Sequence, residues 1–185
     1  MASRKKMLGA LLAAFTVAAT VVVPITANAA NTAPKGDLIF VRSQDFATFD
    51  PDLAQNDSLF IQQQVFEGLY RGAKDGKGVE AWLAKSSTTS KDGLTWTIKL
   101  RTDVKFSDGS PMTSADVKFS LDRATAGTGW GFINEAIANV AAPSADTVVI
   151  TTKFPWAPLL ADLGCFSNSI LPNKFGGKTE AEFLK

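Results

Sequence analysis

Residues 94–101, LTWTIKLR, alternate strictly along the chain: Leu94, Trp96, Ile98 and Leu100 fall on one face, and Thr95, Thr97, Lys99 and Arg101 on the other. A period of two sustained over that length predicts a half-buried antiparallel strand. Residues 147–153 (TVVITTK) predict a second strand and residues 38–42 (LIFVR) an earlier one that opens into the polar loop SQDFATFDPD. Helical spacing appears twice. Ile61, Val65 and Leu69 recur every four residues behind Asp57 or Ser58 as N-cap, which predicts an amphipathic helix from Ser58 to Tyr70. Ile133, Ile137 and Val140 predict another helix, broken at Pro143.

Between these segments the punctuation is clear. AKDGKG at 73–78 is a turn, after which Trp82 and Leu83 return to the core. The apolar piece 104–106 meets the turn Asp108-Gly109-Ser110-Pro111. Thr113 with Asp116 three residues on is a capping box in which a short carboxylate replaces Glu, opening the helix TSADVKFSLDRAT. A short helix is expected over 156–163, and Thr179 with Glu182 repeats the capping box at the end of the chain. GTGWG at 127–131 lacks the Lys-Ser/Thr of a phosphate loop and does not directly follow a strand, so nucleotide binding is not expected there.

The first thirty residues follow a different logic. Arg4, Lys5 and Lys6 precede an uncharged apolar run and Pro24, and Ala27-Asn28-Ala29 places small residues where a signal peptidase acts. Residues 1–29 are therefore expected to be a signal peptide cleaved between Ala29 and Ala30, with 30–36 as a linker. The competing reading is an uncleaved anchor, because the apolar run approaches the roughly 20 residues that span a bilayer. No cysteine stands near the cleavage point to carry a lipid.

Composition narrows the chemistry. The 185 residues carry 19 Lys plus Arg, 18 Asp plus Glu and no histidine. Removing residues 1–29, which hold three positive charges and no negative ones, leaves 16 basic against 18 acidic residues on 156, a net of −2. Without a basic cluster nucleic acid is not an expected partner. Without histidine the chain builds no Ser-His-Asp or Cys-His centre and no His-ligated metal site. The single cysteine, Cys165, forms no internal disulfide and is expected to be a buried thiol in LADLGCFS. No cofactor is expected.

Taken in order, several segments resemble family 5 of the extracellular solute-binding proteins, the dipeptide, oligopeptide and nickel receptors of ABC importers. They are TFDPDLA at 48–54, FEGLYR at 66–71, WLAKS at 82–86, DGLTWTIKLRTDVKFSDGSPMTSADVKFSLDR at 92–123 and TTKFPWAPLLADLG at 151–164. The resemblance implies an α/β fold of the type II periplasmic-binding-protein class, in which two hinged lobes trap a solute and deliver it to a membrane permease. It further implies that residues 37–185 make up the first strand of one lobe and an accessory α/β subdomain, with the opposite lobe beyond Lys185. The expected partners are a peptide or similar small solute and ABC permease subunits, for an exported, monomeric, non-enzymatic protein. With one wall of the cleft, the chain alone is expected to bind peptides weakly or not at all.

The resemblance also suggests ligand-facing residues: Gln44, Asp45 and Phe46 in the loop after the first strand, and Trp130 in the glycine-rich stretch. Each has a structural reading beside it. The loop is an ordinary connection closed by Asp50-Pro51 turn chemistry, and Trp130 fills a groove or the core. Trp82 and Trp96 are expected in the core. Two alternatives remain: a secreted hydrolase using Asp108, Asp116 or Asp122 as paired carboxylates, and a short binding module with no role in transport. Against the hydrolase, Asp108 belongs to a turn, Asp116 to a cap, and Asp122 sits beside Arg123 on a helix.

Overall fold

Alternation at 94–101 is realised in the middle of a sheet. The computed structural model describes residues 41, 46–53 and 58–184, all within one compact unit, Val41–Lys185. The cleavage site Ala29/Ala30, the candidates Gln44 and Asp45, and all of the expected first strand except Val41 lie outside the described residues.

Helix α1 (Ser58–Val65) leads into the short strands β1 (Tyr70–Gly72) and β2 (Val79–Ala81), which pair antiparallel around the predicted turn. Strands β3 (Ala84–Thr89) and β4 (Thr95–Leu100), helix α2 (Ser114–Ala126) and strands β5 (Ile137–Ser144) and β6 (Thr147–Thr152) follow. The second sheet has the order β3-β4-β6-β5, antiparallel throughout. Single-turn helices α3 (Leu159–Asp162) and α4 (Glu180–Phe183) complete the unit, with 3-10 turns between them.

The predicted apolar face of β4 is the floor of the core. Ile98 pairs with Ser87 on β3 and Val148 on β6, and Trp96 with Thr89 and Ile150. Ile98, Val148 and Ile150 are wholly buried, while Trp82 and Trp96 pack against the cluster from partly exposed positions. Helix α2 lays Val117, Leu121 and Ala124, spaced four and three apart, into the same core. Its start is fixed as expected: one oxygen of Asp116 accepts both the N–H and the hydroxyl of Thr113 at 2.7 Å. The other accepts the N–H of Asn173 at 2.7 Å, tying the cap to the C-terminal segment. The second capping box also forms, with Thr179 N–H donating to Glu182 Oε2 at 2.9 Å.

Two predicted helices are corrected. The helix expected over 58–70 ends at Val65, and its inward face is polar: Ser58 and Gln62 are buried, whereas Val65 is exposed. Leu69 does enter the core, but from extended chain. Gln62 decides the orientation, because its amide donates to the carbonyls of Thr48 at 3.0 Å and Asp50 at 2.9 Å. The second expected helix is mostly strand β5. Register shifts between Ile137 and Asn139 and between Ala141 and Ser144 bury Ile137 and Val140 three residues apart, so a bulged strand imitates helical spacing. Pro143 is tolerated because β5 is an edge strand. Two smaller expectations also shift. The helix expected over 156–163 shrinks to α3, and Cys165 is half-buried rather than fully enclosed.

Near the end of the chain, Lys174 and Phe175 adopt φ of 50° and 55° ahead of Gly176 and Gly177. Left-handed backbone costs a non-glycine residue roughly 1–2 kcal/mol. The Phe175 ring offsets part of this by packing edge-on to Phe119 at 5.1 Å and against Phe183 at 5.4 Å.

Candidate functional site

Segment 46–53 is gripped from three sides, and the grip explains where the candidate residues stand. On the side of α1, Ser58 Oγ accepts the N–H of Ala47 at 3.2 Å, beside the Gln62 amide bonds. Asp50-Pro51-Asp52 then forms the predicted turn, with the Asp52 N–H donating to Asp50 Oδ1 at 3.0 Å. Both carboxylates are buried. They face different partners.

Asp50 meets the last turn of α2. Arg123 Nη1 and Nη2 donate to its two oxygens at 2.9 and 2.7 Å, a two-pronged ion pair, and Arg123 Nε also reaches Glu180 Oε1 at 3.0 Å. Burial works against the guanidinium charge, but hydrogen bonds to Asp50 and Glu180 outweigh it, and the Arg123 pKa is raised above its usual value. Asp122 is not part of this arrangement; it pairs with Lys118 one turn back at 2.7 Å.

Asp52 meets the glycine-rich loop beyond α2. Its oxygens accept the N–H of Trp130 at 3.1 Å and of Gly129 at 3.4 Å. A β-carbon at position 127 would lie 2.2 Å from Asp52 Oδ1, and one at 129 would lie 2.0 Å from its backbone oxygen. Close approach, not an unusual torsion, is what requires glycine here. The stretch GTGWG thus wraps a carboxylate that belongs to the protein itself.

This contact fixes the base of Trp130, whose indole packs edge-on to Phe166 with ring centres 4.9 Å apart and leans on Phe132 at 5.7 Å. Phe132 is largely exposed. At the other end of the gripped segment, Phe46 packs on Phe49 at 4.3 Å. Phe46 and Trp130 therefore belong to two stretches that Asp52 ties together. Both are half-buried.

Two surface grooves lie elsewhere on the unit. One, of about 370 Å³, has apolar walls from Phe106, Met112, Ile170 and Phe175; the other, of about 320 Å³, runs past Tyr70, Trp82, Cys165 and Phe166. Neither is lined by Phe46 or Trp130. Among the described residues, no three His, Cys, Asp or Glu side chains cluster to hold a metal ion, and no helix is long and apolar enough to cross a membrane. The carboxylates considered for hydrolysis are engaged structurally. Asp108 accepts the N–H and hydroxyl of Ser110, which hold its carboxyl below the ordinary range, and Asp116 serves the cap. This region presents half-buried aromatic surface from two segments that Asp52 joins.

Residues 78–184 match the family model described as bacterial extracellular solute-binding proteins, family 5 Middle. The chain belongs to this family. Among curated relatives of this family 5 protein, the nickel-binding periplasmic protein of Escherichia coli K12 is 37% identical over 118 residues, 62% of this chain and 22% of the relative. The glutathione-binding protein GsiB of the same strain is 35% identical over 129 residues, 67% of this chain and 25% of the relative. Among solved structures, Listeria monocytogenes OppA bound to peptide superimposes with a TM-score of 0.64 at 29% identity, covering 69% of this chain and 29% of that one. The architecture is accordingly part of a type II periplasmic-binding-protein fold, and the chain spans about a quarter of the length of the curated relatives it matches.

In the sequence Asp50 reads only as turn chemistry, and Asp52, Gly127, Gly129 and Arg123 do not stand out as one assembly. The available signal was the pairing of two acids in DPD with a loop whose glycines had no ligand to cradle. Nothing local joins them, since Asp50 and Arg123 are 73 residues apart.

Proposed function

We propose that this family 5 chain acts as, or within, the extracytoplasmic solute-binding component of an ABC import system, capturing peptides and delivering them to a membrane permease. Family membership over residues 78–184 carries this reading. Two relatives favour peptides among the family's solutes: one is named for glutathione, itself a tripeptide, and OppA was solved with peptide bound. Aromatic faces at Phe46 and Trp130 suit such a solute, because they contact apolar and planar peptide groups without demanding one sequence. Gln44 and Asp45 extend the same proposed ligand-facing loop.

The test is an NMR titration of the 185-residue chain with glutathione and trialanine. Binding is expected to be weak, in the millimolar range, because a single wall encloses little of a ligand's surface. Shifts are expected to concentrate at the amides of Phe46, Gly129 and Trp130 and to vanish in Trp130→Ala. Shifts centred on Phe106 and Phe175 instead would move the site to the larger groove and overturn this assignment.

Residues 1–29 are proposed as the export signal, consistent with the extracellular character of the family. Intact-mass measurement on the exported fraction is expected to give a chain beginning at Ala30. A mature protein that keeps Met1 would establish the anchor reading in its place.

A further inference from the structure

The wrapped carboxylate has more than a packing role open to it. Asp52 is buried, and a buried ionised carboxylate is costly unless hydrogen bonds replace its water. Among the described residues, the bonds its carboxylate accepts come from the amides of Gly129 and Trp130, whereas Arg123 is committed to Asp50 and Glu180. Between the end of α2 and Trp130 the chain reads Gly127-Thr128-Gly129, and its two glycines leave the backbone free to take many conformations. Such a stretch cannot by itself hold a large indole in one orientation. Glycine is nevertheless required there, because side chains at 127 or 129 would collide with Asp52. Flexibility in the loop and a rigid external anchor are thus two halves of one arrangement.

We propose that Asp52 is a positioning residue for Trp130: by holding the amides of Gly129 and Trp130 it sets the indole against Phe166 and Phe132, so that one aromatic wall of the solute site is preformed. The proposal rests on the reading of Trp130 as ligand-facing, and it adds that a residue with no place in the ligand contact governs that wall. Preforming it avoids ordering the loop when solute binds, a cost otherwise subtracted from affinity.

The experiment uses the full chain labelled with 5-fluorotryptophan, whose four resonances are assigned by replacing each tryptophan in turn with Phe. Asp52→Asn keeps the shape but turns an N–H₂ group toward amide donors. It is expected to shift and broaden the Trp130 resonance while Trp82, Trp96 and Trp156 stay in place. An unmoved Trp130 resonance overturns the proposal. So does collapse of all four resonances to their unfolded positions, which would make Asp52 a general structural residue. In a second arm, chemical-shift changes at a fixed millimolar glutathione concentration are expected to fall several-fold, at most about tenfold, in Asp52→Asn, the size of ordering one large side chain on binding. Full retention of those changes in Asp52→Asn, with loss in Trp130→Ala, overturns positioning but leaves the site reading intact. Retention in Trp130→Ala removes the site reading instead, and with it the functional half of the proposal.

Discussion

Arg123→Ala is expected to lower the folding stability by about 3 kcal/mol, the lower end of the range for removing one partner of a buried ion pair. The lower end applies because the Arg123 side chain keeps 20% of its exposure, although the Asp50 side chain keeps only 8%. The loss comes chiefly from the carboxylate left behind: Asp50 would remain buried with the Asp52 N–H and without its two strongest donors. Glu180 contributes little to the sum, since it is more than half exposed and a surface pair adds at most about 1 kcal/mol. The double variant Asp50→Asn/Arg123→Met separates these effects. Removing both charges together should cost clearly less than Arg123→Ala alone, because no unpaired charge remains. Chemical denaturation of the three proteins is the measurement, and equal losses from Arg123→Ala and the double variant would show that the pair is not what holds segment 46–53 to α2. Arg123→Lys is a useful companion: it keeps the charge but not the two-pronged geometry, so an intermediate loss is expected.

This pair also marks the boundary of what the amino-acid sequence discloses. Strand β4 was legible because a half-buried strand writes its two faces into eight consecutive residues, and both capping boxes were legible because their partners are three residues apart. Helix α1 was misread for the opposite reason. The partners of Gln62 lie 12 and 14 residues upstream, so the polar face that turns inward has no local mark. Strand β5 was misread because its bulges replace alternation with a spacing of three. In the candidate site, Trp130 is singled out by the family resemblance, whereas its anchor has no mark in the sequence, since Asp52 and Trp130 are 78 residues apart. Local rules therefore recovered β4, β6, α2 with its cap and the family resemblance, while the device that joins the two candidate stretches depends on contacts that only the folded chain creates.

Ile98→Ala is expected to cost about 2–5 kcal/mol, as for other large-to-small changes in cores where the surroundings cannot fully collapse. Ile98 is fully buried on the central strand β4, held in register between Ser87 on β3 and Val148 on β6. Collapse is restricted because both neighbours are fixed by ladder hydrogen bonds and cannot move without breaking them. Ile98→Val, which removes one methyl group, is expected to cost about 0.5–1.5 kcal/mol. Lys99→Ala, one residue along on the solvent face, should change stability by no more than about 0.5 kcal/mol, although Lys99 Nζ reaches Thr147 Oγ1 at 2.6 Å. Since small domains are stable by only about 5–15 kcal/mol, Ile98→Ala alone removes a large share of the total. Urea unfolding reports all three, and the slope of stability against denaturant should stay constant if the native surface is unchanged. A loss below about 1 kcal/mol in Ile98→Ala, with a loss just as large in Lys99→Ala, would mean that the alternating face of β4 is not the floor of the core. The result bears on the site as well, because Val117 and Leu121 of α2 join the same buried cluster as Ile98 and the same helix carries Arg123. A core that yields under α2 should also loosen its grip on Asp50, so Ile98→Ala combined with Arg123→Ala is expected to be less than additive.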